Sequence, residues 1–267
     1  MRLAWAFFRR DAAIAVSYRI AFFLQFLGNV ILLGVLYYVG KTVGSQPLPA
    51  LDRFGGNFLA FVLVGIALTD CVSTSLISFA TQVREAQTTG TLEATLMSPA
   101  RLSTILICSS LWNYFLSAVR FVLYLGVGSL LYKVELGHSN VVSALVIFVL
   151  TVLCFIGIGI LFAGIILLVK RGEAITTVSG YIVALITGVF FPVSLMPNWL
   201  QKLAAMIPLT TALEGMRFAL LRGSNLADLA PLIMRLAIFA VVLLAGGLAG
   251  FNLAVSVAKR NGSLTQY

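Results

Sequence analysis

Asp70 and Arg120 are the two charged residues that stand inside long apolar runs of a chain in which only 10% of residues are charged. A charge held at membrane depth is costly and is kept where it meets a partner, water or cargo. Two chemistries fit this pair: an ion pair that fixes the fold, or a polar path for a substrate. Counting inward from Arg84 and Arg101 at 1.5 Å per residue places Asp70 ~21 Å and Arg120 ~28 Å from one edge. The two could therefore meet if their runs are neighbours. Other chemistry is scarce. His138 is the single histidine and falls in a short connector, which excludes a His-rich metal site. Cys71, Cys108 and Cys154 all lie within apolar runs, an odd number that reads as packing rather than as a disulfide frame. From these residues no Ser/His/Asp or Cys/His constellation can be assembled, which disfavours an enzyme. The stretch "GVLYYVGKT" imitates a phosphate-binding loop, but its glycine spacing is wrong by one and it lies in an apolar run with no preceding strand. No other nucleotide motif appears, so this chain alone is not expected to hydrolyse ATP.

The elements that would position these residues are written in the composition. The chain has 267 residues, 60% of them hydrophobic, with a mean hydropathy of +1.04, well above the roughly half-apolar make-up of a soluble domain. Six runs approach or exceed the length needed to cross a hydrocarbon core of ~30 Å: Ile20–Gly40, Phe58–Val83, Leu102–Tyr132, Val141–Val169, Ala174–Phe191 and Leu236–Ala258. The expectation is an all-α integral membrane protein, a single domain over 1–267, with six transmembrane helices. The net charge of +9 is scattered at run ends and forms no single basic patch, so it argues for cationic membrane edges and against nucleic acid. No cleavable signal peptide stands out, because Arg2, Arg9, Arg10, Asp11 and Arg19 interrupt the first twenty residues. With the N-terminus inside, ten Lys and Arg fall on the cytoplasmic side and seven outside. The cytoplasmic excess favours a multi-pass protein with both termini in the cytoplasm.

Residues 1–19 mix Trp5, Phe7 and Phe8 with arginines, as in a helix lying in the inner interface; a plain cytoplasmic lead into the first span is the alternative. "VGSQPLPALDRFGGN" is rich in Pro and Gly and is expected to be an irregular outer loop. Over 192–228, apolar pieces too short to cross are punctuated by Pro192, Pro197, Pro208 and Gly223. Short outer helices, re-entrant or capping, fit that pattern. Small residues such as Gly159 with Ala163, or Gly246 with Gly250, suit close helix packing.

The polar stretch 84–101, "REAQTTGTLEATLMSPAR", joins the second and third runs. The second helix can continue to about Glu85, "AQTTG" supplies a turn, and "TLEATLM" puts Leu92 and Leu96 on one helical face. Ser98 and Pro99 then suit a helix start. A short amphipathic helix fixed between two long rigid ones could be a mechanical handle or an ordinary connector.

"REAQTTGTLEATLMSPARL" resembles the segment between spans two and three of the type-2 permeases of ATP-binding cassette (ABC) transporters. "FFPVSLMPNWLQKLAAMIPLTTALEGMRFALL" is similar to that family's outer segment, with Pro192, Pro197, Trp199, Pro208 and Arg217 at familiar places. The resemblance spans essentially the whole chain. It implies that 84–101 is a coupling segment docking on a separate ATPase. Glu85, Gly90, Thr91, Leu92, Glu93 and Pro99 match the motif, with Arg84 and Leu96 beside them, and Lys170, Arg171 and Glu173 form a second cytoplasmic approach. It also implies a cell-membrane assembly of two permeases, identical or paralogous, with two ATPases. ATP and Mg would sit on the ATPase and no cofactor on this chain. Most such permeases export. An amphiphilic small molecule, drug or lipid is the expected cargo; a polysaccharide or lipid-linked glycan, or an ATP-independent transporter or channel, is the alternative.

Overall fold

A computed structural model describes residues 2–17, 19–43, 49–55, 57–88, 102–132, 139–169, 180 and 182–260. Regular structure among them is entirely helical. The order is α1 (Arg2–Ser17), α2 (Arg19–Val43), a 3-10 helix (Pro49–Phe54), α3 (Phe58–Thr88), α4 (Leu102–Tyr132) and α5 (Val141–Val169). A second 3-10 helix (Val193–Leu195), α6 (Asn198–Met206), α7 (Pro208–Leu221) and α8 (Ala230–Arg260) follow.

The bounds of α4 and α5 coincide with the apolar runs, because polar residues set their ends. Asn140 caps α5 by accepting the Ser143 N–H through its side-chain oxygen at 3.1 Å, and Asn57 caps α3 in the same way through Ala60 N–H at 3.1 Å. An asparagine in that position satisfies an amide the helix cannot.

Four described helices are long and apolar enough to cross a membrane, over Phe58–Phe79, Ile107–Leu130, Val141–Leu167 and Ala230–Ala258, and α6 with α7 would make a fifth if the bent pair is one span. The six expected spans are thus four or five among the described residues. The first run is helical as α2 but stands outside that set. Residues 170–179 and 181, which include most of the first half of the fifth run, lie outside the described residues. The last helix begins earlier than expected, at Ala230, so that Arg235 is inside it and not in the preceding loop. Its side chain can sit there because Nη2 donates to Ala205 O at 2.6 Å, at the end of α6.

At the centre stands α3. Phe61, Val62, Leu63, Val64 and Leu68 along it are at most 1% exposed, and it packs on α4, α5 and α7. On the periphery, α8 turns Ile238, Val241, Val242 and Leu253 outward, each about 60% exposed or more. Apolar faces so extensive fit contact with lipid rather than water. The closest packing joins α5 to α8. A Cβ on Gly247 would lie 2.1 Å from Gly157 O, so the backbones touch where a side chain would intervene. Gly247→Leu is expected to destabilise the protein by about 1–3 kcal/mol, read as a lower melting temperature and a smaller monodisperse fraction in detergent.

Pro49–Phe54, expected to be irregular, is instead a 3-10 helix. Leu51 and Phe54 are buried; three apart, they share a face at three residues per turn. Phe54 packs on Phe61 and Phe218 at 5.3 and 5.2 Å between ring centroids.

Candidate functional site

Two polar constructions stand out in an apolar molecule. The first is a seam between α3 and α4. Asp70, Thr74, Ser78 and Gln82 recur every four residues on α3 and so share one helical face. Antiparallel to them, α4 presents Arg120, Asn113, Ser110 and Ser109. Arg120 Nε lies 3.3 Å from Asp70 Oδ2, and Arg120 Nη2 donates to Thr74 Oγ1 at 2.7 Å. Farther along, Asn113 Nδ2 donates to Ser78 Oγ at 2.9 Å. Gln82 Nε2 donates to Ser110 Oγ at 3.0 Å, and the Ser109 hydroxyl donates to Gln82 Oε1. From Asp70 to Gln82 this seam runs ~18 Å along the helix, more than half of a ~30 Å hydrocarbon core.

Charge sits at one end of the seam only. The Arg120 and Asp70 side chains are 6% and 14% exposed, so the structure brings this pair together out of solvent. The other rungs are neutral amides and hydroxyls. Removing these groups from water costs little once each has a partner, and a transverse ladder of them holds two helices in one register.

The second construction is at the opposite end of α3. Arg217 on α7, within the 192–228 segment, is 3% exposed. Its Nε donates to Phe61 O at 3.2 Å, and Nη2 donates to Gly188 O and Val189 O, each at 3.0 Å. The guanidinium carbon lies 3.3 Å from the centroid of the Phe61 ring, a cation–π contact. Two glycines permit this. A Cβ on Gly65 would lie 3.0 Å from Arg217 Nη2 and 2.5 Å from Val189 O. Gly188 has φ +81°, a left-handed conformation that glycine adopts without strain. Replacing Arg217 with Met would orphan the carbonyls of that turn and is expected to cost about 2 kcal/mol or more. Thermal unfolding in detergent measures it, and Arg217→Lys should recover only part, since an ammonium lacks the planar fork.

Around Arg217 the segment 192–228 is ordered by its prolines. Pro192 precedes the second 3-10 helix, Pro197 precedes α6 and Pro208 opens α7. Between α6 and α7 the axis turns by 88° at Ile207, which is extended (φ −93°, ψ 124°), the conformation that a following proline imposes. Trp199 on α6 is 64% exposed.

The remaining sequence candidates are only partly placed. Arg84 is exposed near the end of α3, and Glu85 belongs to the same helix. Gly90, Thr91, Leu92, Glu93, Leu96 and Pro99 lie outside the described residues, as do Lys170, Arg171, Glu173 and His138. The "GVLYYVGKT" stretch is part of α2 and offers no loop. Among the described residues no group of three or more His, Cys, Asp or Glu could hold a metal. Sequence reasoning missed Thr74, Ser78, Gln82, Ser109, Ser110 and Asn113; the four-residue spacing onward from Asp70 was the available signal. At the other end of the chain, α1 lies against α4, with Phe8 5.1 Å from Trp112 and 5.6 Å from Phe115 between centroids, and Trp5 is exposed.

The profile of a family described as ABC-2 family transporter protein matches residues 41–249. No curated protein matches the chain.

Proposed function

Since the chain belongs to the ABC-2 family of transporter proteins, and is thus a multi-pass membrane permease, we propose that it is the permease subunit of an ATP-driven exporter. The observation that carries the proposal is the extent of the family match, which takes in both 84–101 and the proline-punctuated segment 192–228. The active assembly contains two permeases, identical or paralogous, and two copies of a separate ATPase that holds ATP and Mg. It resides in the cell membrane with both termini in the cytoplasm, and α1 lies along the inner interface. Its cargo is an amphiphilic small molecule, drug or lipid.

The mechanism follows from stiffness. ATP draws the ATPases together and moves the segments docked on them. In this chain the docked segment is 84–101, with Glu85, Gly90, Thr91, Leu92, Glu93 and Pro99 at the contact, Arg84 and Leu96 beside them, and Lys170, Arg171 and Glu173 as a second approach. Both ends of 84–101 continue into α3 and α4, and the seam from Gln82 to Asp70 locks those helices in register. A push at the cytoplasmic end therefore moves the two as one body rather than shearing them. Rigid-body motion of that pair reshapes the path between the two permeases.

The reading is tested by purifying the tagged permease from its native membrane. A stand-alone ABC ATPase is expected to accompany it and to hydrolyse ATP faster when cargo is added. Recovery of the permease alone, with transport intact, would rule the exporter reading out.

A further inference from the structure

A cavity of about 220 Å³ opens beside Arg217, and its walls include Arg53, Arg235 and Glu214. Three guanidiniums against one carboxylate leave this chamber with an excess of two positive charges. Arg53 Nη1 is a loose 3.6 Å from Glu214 Oε1. Among the described residues no carboxylate lies within 4.0 Å of Arg217 or Arg235. The Arg217 bonds use Nε and Nη2, and Nη1 has no acceptor among the described residues. Arg235 likewise spends Nη2 on a backbone carbonyl. A buried guanidinium without a counter-charge is expensive, and carbonyl dipoles and a Phe61 ring offset only part of that cost. A planar fork with unused donors, in an open pocket lined by two further arginines, suits an oxyanion.

We propose that this chamber binds a phosphate or carboxylate group, held by Arg53, Arg235 and Nη1 of Arg217. It lies near Phe61, ~40 Å along α3 from Thr88, hence on the face away from the coupling segment. The assignment deepens the exporter reading and rests on it for direction: the cargo, or a lipid that enters with it, carries its anionic group to the far side. Glu214, the one carboxylate among the lining residues, disfavours a second anion by repulsion.

The test needs only the purified permease in an uncharged detergent, with no ATPase present, so its outcome is independent of the exporter reading. Thermal stabilisation is titrated with inorganic phosphate and with dihexanoyl phosphatidylglycerol, at ionic strength fixed by chloride; dihexanoyl phosphatidylcholine is the neutral comparison. Arg53→Gln with Arg235→Gln is expected to weaken apparent affinity about tenfold or more, leaving Arg217 in place to hold the turn. Arg260→Gln, which removes an exposed arginine at the far end of α8 and outside the chamber walls, should leave affinity unchanged. Saturable binding of phosphate points to a soluble anion and binding of phosphatidylglycerol alone to a lipid headgroup, and either supports the site. Stabilisation by neither probe, or equal weakening in Arg260→Gln, overturns it.

Discussion

Asp70→Asn is expected to destabilise the permease by about 3–5 kcal/mol, because it leaves Arg120 charged, buried and without its counter-ion. The partners are 3.3 Å apart and both largely out of solvent, so water cannot replace the lost carboxylate. Arg120→Gln should cost a similar amount and also removes the donor to Thr74. The double change should cost much less than the two single changes together, since a neutral Asn and Gln can bond to each other. A double-mutant cycle on unfolding in denaturing detergent measures this, and a parallel cycle on export tells whether the pair also serves the path. Additive single effects would mean that each charge acts through other groups. A stability cycle that couples beside an export cycle that does not would assign the pair to the fold alone.

Substitution in the proposed coupling segment is expected to act differently. On the docking proposal, Glu93→Ala should lower export about tenfold or more while changing thermal stability by at most about 0.5 kcal/mol, the usual range of a surface change. The contrast follows from where the groups act. Asp70 secures one helix to another within the chain, whereas Glu93, on the proposed reading, acts only when a second protein pushes on it. In the seam between them, Gln82→Leu should give an intermediate result: a loss of about 1 kcal/mol for the broken hydrogen bonds, with partial uncoupling of ATP hydrolysis from export.

How far the sequence carried varies by element, for physical reasons. The long helices α4 and α5 were legible to the residue because a span must be apolar throughout and its ends are marked by polar residues such as Asn140. The start of α8 was not: Arg235 was read as a boundary, yet a carbonyl of α6 accepts its proton, and that carbonyl comes from thirty residues away. Arg217 was legible as a family landmark but not as a buried clamp. Its burial depends on the absence of side chains at Gly65 and Gly188, positions that carry no signal until the helices are packed. The neutral seam residues escaped notice because serine, threonine and a lone glutamine barely lower the hydropathy of a run. Asp70 and Arg120 were conspicuous for the opposite reason. For the coupling segment the sequence still carries most of the case, since residues 89–101 lie outside the described part of the fold.

The central claim, that 84–101 is gripped by a separate ATPase, is tested most directly by site-specific cross-linking in native membranes. A cysteine introduced at Glu93 is predicted to cross-link to an ABC ATPase, with ADP or ATP altering the yield, while one introduced at Arg53, at the other end of the molecule, gives none. An ATPase that is never captured from position 93, in a permease that still exports, would contradict the account.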